Sequence, residues 1–282
     1  MSELFESLLF RRALLAALII GFTNGFVSVF VVLHRSPLKL GALSHAIFPG
    51  IAVVVLLFGI TTTGIYLGAL VAAAAVGLGA IFLARRSALS EETVLAVLFT
   101  GAFAAGVFLI TNYQGGDALE HWLLGNIIGL SDSDLWMSYL VGALAVGVIA
   151  FFRRPIVVNL FEPDVAATLG VRTGLLNYGL FALLILVLVT TLQAVGTVLA
   201  IGLIVTPAAI VRQLVHSVRG MFFWSGVVGA VGAVTGFVLA FVFDQPPGAS
   251  MVLTFTVLFL LAVAVRRLRE RNASRGEHAH EG

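Results

Sequence analysis

The chain has 282 residues, 60% of them apolar and 11% charged, with no Cys and a formal net charge of +2. Soluble domains carry roughly 25% charged and 45–50% apolar residues, so a water-facing globule, a disordered chain and a disulfide-stapled secreted domain are excluded. The net charge is too small to argue for nucleic acid, and the lack of Cys removes thiolate metal chemistry.

At ~20 residues per helical span, the composition implies an all-α, polytopic transmembrane helical bundle. The runs are continuously apolar and do not alternate as barrel strands do. Breaks in hydropathy divide them into nine spans, about 13–33, 43–59, 64–84, 92–111, 134–152, 174–192, 194–211, 222–243 and 249–265. Eight are possible if 174–211 crosses once, since only Thr190, Thr191, Gln193 and Gly196 divide it.

The first run follows Arg11–Arg12, and another apolar segment comes at once, so it reads as a span and not as a signal peptide. The second opens with Leu43-Ser44-His45-Ala46-Ile47-Phe48-Pro49-Gly50. Ser44 can cap a helix there, while Pro49 and Gly50 weaken it one turn in. An ionisable side chain in a span is costly and usually faces a cavity or a partner. His45 therefore reads either as a satisfied residue at a helix start or as a group on a translocation path. Between the fourth and fifth spans, 119–130 is apolar apart from Glu120 and His121. It is too short to cross and reads as interfacial or re-entrant, with Trp122 and Trp136 as headgroup anchors.

The loop 153–173 reads RRPIVVNLFEPDVAATLGVRT. Pro suits a first helical turn, acidic groups suit its positive end, and Gly suits the residue past its C-terminus. A two-turn helix from Pro163 to about Leu169 follows, with Val165 and Leu169 on one side and Glu162 and Asp164 near its start. Such a helix either docks in a groove on a partner or lies on the membrane. Asn24, Gln193, Thr197 and Thr206 within spans read as interhelical hydrogen bonding. Gly226, Gly229, Gly232 and Gly236 read as close helix packing. Asp244 to Gly248 is a turn. Residues 1–265 form one membrane domain, and 266–282 are a short polar tail, a frayed helix end and a disordered stub in which His278 and His280 are solvated.

With the N-terminus outside and nine spans, the inside loops and tail hold fourteen of the sixteen basic residues, and only Arg11 and Arg12 fall outside. Basic residues accumulate on the cytoplasmic side, so the C-terminus is cytoplasmic and the chain is a multi-pass plasma-membrane protein. There is no G-x-x-x-x-G-K-[ST], since the only Lys, Lys39, follows Leu38. There is no H-E-x-x-H or G-x-S-x-G, so no catalytic role is expected. The acidic residues sit in loops and not deep in spans, where ion-coupled carriers place them. A transporter without either device draws its free energy from another subunit. An ion-coupled secondary carrier is the alternative class.

Four stretches together resemble one family. Val29 to Gly50, VFVVLHRSPLKLGALSHAIFPG, is similar to a first inside loop followed by "LSHA…PG". Leu123 to Ser131, LLGNIIGLS, resembles "LFGNILG". Phe161 to Val171, FEPDVAATLGV, resembles the coupling-helix motif "F-D-P-E-x-A-x-x-L-G-V". Val195 to Ala209, VGTVLAIGLIVTPAA, resembles "VG…L…A-L-L-V-T-P-A-A". On these residues, over about 13–265, the chain resembles the permease subunit of bacterial ABC importers for zinc, manganese or iron, the ABC-3 family.

The resemblance implies a second permease chain, expected as a homodimer, two cytoplasmic ATPases that bind ATP, and an extracytoplasmic solute-binding protein that delivers the metal. It implies no tightly bound cofactor. It assigns Glu162, Pro163, Asp164, Leu169 and Gly170 to ATPase coupling, and it matches His45 to a metal ligand on the path. Many members carry Asp four residues before that His, where this chain has Gly41. A permease for metal chelates is the alternative within the class.

Overall fold

The computed structural model describes residues 8–33, 37–59, 61–114, 125, 127–196, 199–215 and 217–280. Among them are twelve helices and no strand. They are α1 (Leu8–Leu33), α2 (Pro37–Ala46), α3 (Phe48–Phe58), α4 (Thr62–Ala84), α5 (Glu91–Gln114) and α6 (Asp132–Phe151), then α7 (Arg153–Phe161), α8 (Pro163–Thr168), α9 (Thr173–Val195), α10 (Ala200–Arg212), α11 (Val218–Phe243) and α12 (Pro247–His280).

Among the described residues, seven helices are long and apolar enough to cross a bilayer: α1, α4, α5, α6, α9, α11 and the first 25 residues of α12. Two of the nine expected spans are shorter apolar helices, Ser44–Phe58 and Ala200–Arg212. At 1.5 Å per residue the latter rises about 20 Å, less than the ~30 Å hydrocarbon core. The region 174–211 does divide in two: α9 ends at Gly196, whose φ of 85° turns the chain out of the helix before α10 begins.

The helices group into two lobes. In the larger, α1 packs most extensively on α11 and next on α10, with α12 behind them and α6 alongside. Glycines set the α1–α11 distance. A Cβ on Gly25 would strike the Ser225 carbonyl oxygen, and one on Gly229 the Gly21 carbonyl oxygen, so the two backbones touch. In the smaller lobe, α3, α4 and α5 pack on one another. Two helices join the lobes: α9 touches α4 on one side and α1, α6 and α10 on the other, while α2 lies between α5 and α10.

Polar side chains stitch the larger lobe inside its apolar core. Thr191 Oγ1 donates to Asn24 Oδ1 at 2.9 Å, joining α9 to α1. One turn along α1, Ser28 Oγ donates to the Gly25 carbonyl at 2.6 Å and accepts the Ala208 N–H at 3.0 Å. Ala208 follows Pro207, whose ring and missing N–H disturb the α10 ladder. Asn24, Ser28 and Thr191 are fully buried. The sequence assigned Asn24 to such bonding; Thr197 lies outside the described residues.

Charged residues at the helix ends depart from the hydropathy reading. α1 starts at Leu8, ahead of Arg11 and Arg12, and Arg12 forms an ion pair with Asp132 at the start of α6. One of the two basic residues expected on the wrong side is thereby neutralised. Ser131 caps α6 reciprocally with Asp134. In the polar tail α12 continues to His280, where a disordered stub is expected from the sequence. Arg and Glu are good helix formers, and Arg266 bonds Glu270 four residues on at 2.8 Å.

Candidate functional site

Two places concentrate features that lipid contact does not explain. The first is the end of α2. The expected span 43–59 is two helices: α2 starts earlier, at Pro37, and stops at Ala46, with a turn at Ile47 before α3. Pro49 accounts for the break, because its ring displaces the carbonyl four residues back, that of His45. Ser44 is therefore inside a helix and does not cap one; its Oγ donates to the Gly41 carbonyl at 2.7 Å.

His45 sits in the last turn of α2, partly buried, at the junction of the lobes. Its ring faces two aromatics of α5, edge-on to Phe103 at 5.0 Å and stacked on Phe99 at 6.1 Å between centroids. Its Nδ1 is buried with no hydrogen-bond partner among the described residues. A turn earlier, Gly41 backs onto α10, where a Cβ would lie 3.1 Å from Ile201 Cδ1. Among the described residues no three His, Cys, Asp or Glu side chains come together as a metal cage. The imidazole thus belongs to no cluster of three such groups among the described residues. His34, His121 and Trp122 lie outside the described residues, and Trp136 is exposed, edge-on to Tyr139 at 6.0 Å.

The second place is the loop after α6. α7 and α8 form a knob, hinged at Glu162 with φ −138° and ψ 72°. Pro163 occupies the first turn of α8, Asp164 lies at its positive end, and the Gly170 φ of 79° ends it. Backbone bonds from Leu169 N–H to Val165 O and from Val171 N–H to Ala166 O close the turn. Ala166 is fully buried and anchors the helix, whereas Phe161, Val165 and Leu169 are 55%, 46% and 69% exposed. Glu162 and Asp164 are exposed beside them. The knob presents an exposed apolar face with an acidic rim. Its base is fixed to α9, where Asn159 Nδ2 donates to Asn177 Oδ1 at 2.8 Å.

The helix at 163–168 and its glycine stop were legible in the sequence. The Asn159–Asn177 bond and the Ser28–Ala208 bond were not. Asparagines 18 residues apart on neighbouring helices would have hinted at the first, and the second has no local signal.

Comparisons with known proteins agree over most of the chain. The sequence profile described as the ABC 3 transport family matches residues 6–266. The chain is 32% identical over 257 residues to the manganese transport system membrane protein MntC of Listeria innocua, with 89% of each chain covered. It is 29% identical over 268 residues to the chelated iron transport system membrane protein YfeD of Yersinia pestis, covering 95% of this chain and 89% of that one. Among solved structures, PsaBC from Streptococcus pneumoniae in complex with Fab superposes with a TM-score of 0.87 at 29% identity, over 93% of this chain and 94% of that chain.

Proposed function

Because the chain belongs to the ABC 3 transport family, we propose that it is the membrane-spanning permease of an ATP-driven metal-ion importer. Its cargo is a divalent ion of the Zn2+, Mn2+ or Fe2+ class, handed over by an extracytoplasmic solute-binding protein. Relatives named for manganese and for chelated iron support that substrate class. The chain is non-catalytic; a separate cytoplasmic ATPase binds and hydrolyses ATP, and two copies of the permease enclose the path. The seven long helices, together with the two short apolar ones, make nine crossings with the N-terminus outside and the C-terminus cytoplasmic.

The observation that carries this reading is the knob at 162–170. Its exposed apolar face with an acidic rim suits a protein groove. Glu162, Pro163, Asp164, Leu169 and Gly170 form that coupling element. His45 is the group on the path: it lies where the lobes meet, so a relative movement of α5 and α10 changes its surroundings. The test is retention of the ATPase. The tagged chain is expected to retain it, Leu169→Asp is expected to lose it, and uptake is expected to stop when ATP is depleted. Uptake that survives ATP depletion and collapses with a protonophore would instead identify an ion-coupled carrier.

A second reading has its own support. A single imidazole flanked by Phe99 and Phe103 is a poor cage for a bare ion, yet a good wall for a metal that brings its own organic ligands. Competition between free and chelated metal in an uptake assay separates the two.

A further inference from the structure

Resting on the reading of 162–170 as the ATPase-coupling knob, we infer that the Asn159–Asn177 amide pair is the positioning contact that carries movement of the knob into the membrane bundle. Asn159 lies three residues before the Glu162 hinge, near the end of α7, the helix on which α8 packs. It is 8% exposed, so it moves with the knob's base and not with solvent. Its Nδ2 reaches Asn177 Oδ1, about one turn into α9. From there α9 runs 14 residues to Thr191, about 21 Å at helical rise, where the Thr191 hydroxyl holds Asn24 of α1. The same helix touches α2, which carries His45, and α4 of the other lobe. Asn159 and Asn177 thus sit where a displacement of α7 either drives α9 or slips past it.

The chemistry of the pair argues against a purely packing role. A Leu in this position would fill the space without desolvating an amide. Asn159 instead leaves its Oδ1 buried without a partner among the described residues, a cost that a contact selected for stability alone avoids. An amide–amide bond brings direction: it holds α7 and α9 in one register and can exchange for another when the knob shifts.

The experiment uses the permease with its ATPase in liposomes, with Mn2+ as the transported probe. It reads ATP hydrolysed per Mn2+ moved. Asn159→Leu and Asn177→Leu are each expected to raise that ratio roughly three- to tenfold, the factor that goes with losing one hydrogen bond, while still retaining the ATPase. The double variant is expected to be no worse than either single one, and Asn177→Asp, which keeps the acceptor, is expected to hold the wild-type ratio. An unchanged ratio in the Leu variants, multiplying defects in the double variant, or an Asp variant as uncoupled as the Leu one overturns the inference. If Asn159→Leu fails to insert, the exposed Asn177 position decides alone through its Leu and Asp variants. A wild-type chain that retains no ATPase overturns the proposed function and this inference with it; a working wild-type complex with fully coupled variants overturns only the inference.

Discussion

Leu169→Ala on the knob tests the docking reading quantitatively. Leu169 is 69% exposed, so a partner groove has that share of its side chain to cover. Truncation to Ala removes three carbons, worth about 2.4 kcal/mol at ~0.8 kcal/mol per buried methylene. Scaled by the exposed share, the loss is about 1.7 kcal/mol, or roughly sixteenfold in affinity for the ATPase. Leu175 is the matched control: it is also 69% exposed, but it lies on α9 beyond the knob, and Leu175→Ala is expected to change affinity by less than about twofold. Titrating purified ATPase onto detergent-solubilised permease reads both numbers. Wild-type affinity in Leu169→Ala, or an equal loss in Leu175→Ala, would refute the assignment of the docking face.

His45→Ala is expected to lower metal uptake while leaving membrane insertion and ATPase retention intact; unchanged transport kinetics would return His45 to a packing role between Phe99 and Phe103. Ser28→Ala strips the acceptor from the Ala208 N–H in the buried core, at a cost of about 1–3 kcal/mol, and faster amide exchange at Ala208 is the signal to measure. Because the chain has no Cys of its own, orientation can be read without background. Asp244→Cys should react with an impermeant thiol reagent added to intact cells and Ser274→Cys should not, and the reverse result would invert the topology.

Legibility in the sequence followed the range of the forces involved. The knob was readable almost to the residue, because Pro163, Asp164 and Gly170 act through the backbone of their own turn. The Pro49–Gly50 weakness likewise located the break before α3. The start of α2 at Pro37 was hidden, since hydropathy stops at Lys39 and the helix there is held by packing on α5 and α10. The start of α1 was missed for a related reason: Arg11 and Arg12 read as a boundary, whereas Arg12 is held inside the helix by an acid 120 residues away. Most remote of all is Ser28, whose role depends on the backbone of α10, 180 residues on. Much of 119–130, read as an interfacial segment, lies outside the described residues; of its end, Gly125 packs against Val195 and Gly196, and Ile127 is buried.

Helix α12 spans 34 residues without interruption from Pro247 to His280, about 51 Å of rod at helical rise. The hydrocarbon layer takes up roughly 30 Å of it, which leaves about 20 Å standing clear at one end. A tilt of about 10° at the layer's edge sweeps that free tip through some 3–4 Å. One unbroken helix thus links the turn before Pro247 to a tip that stands well clear of the layer.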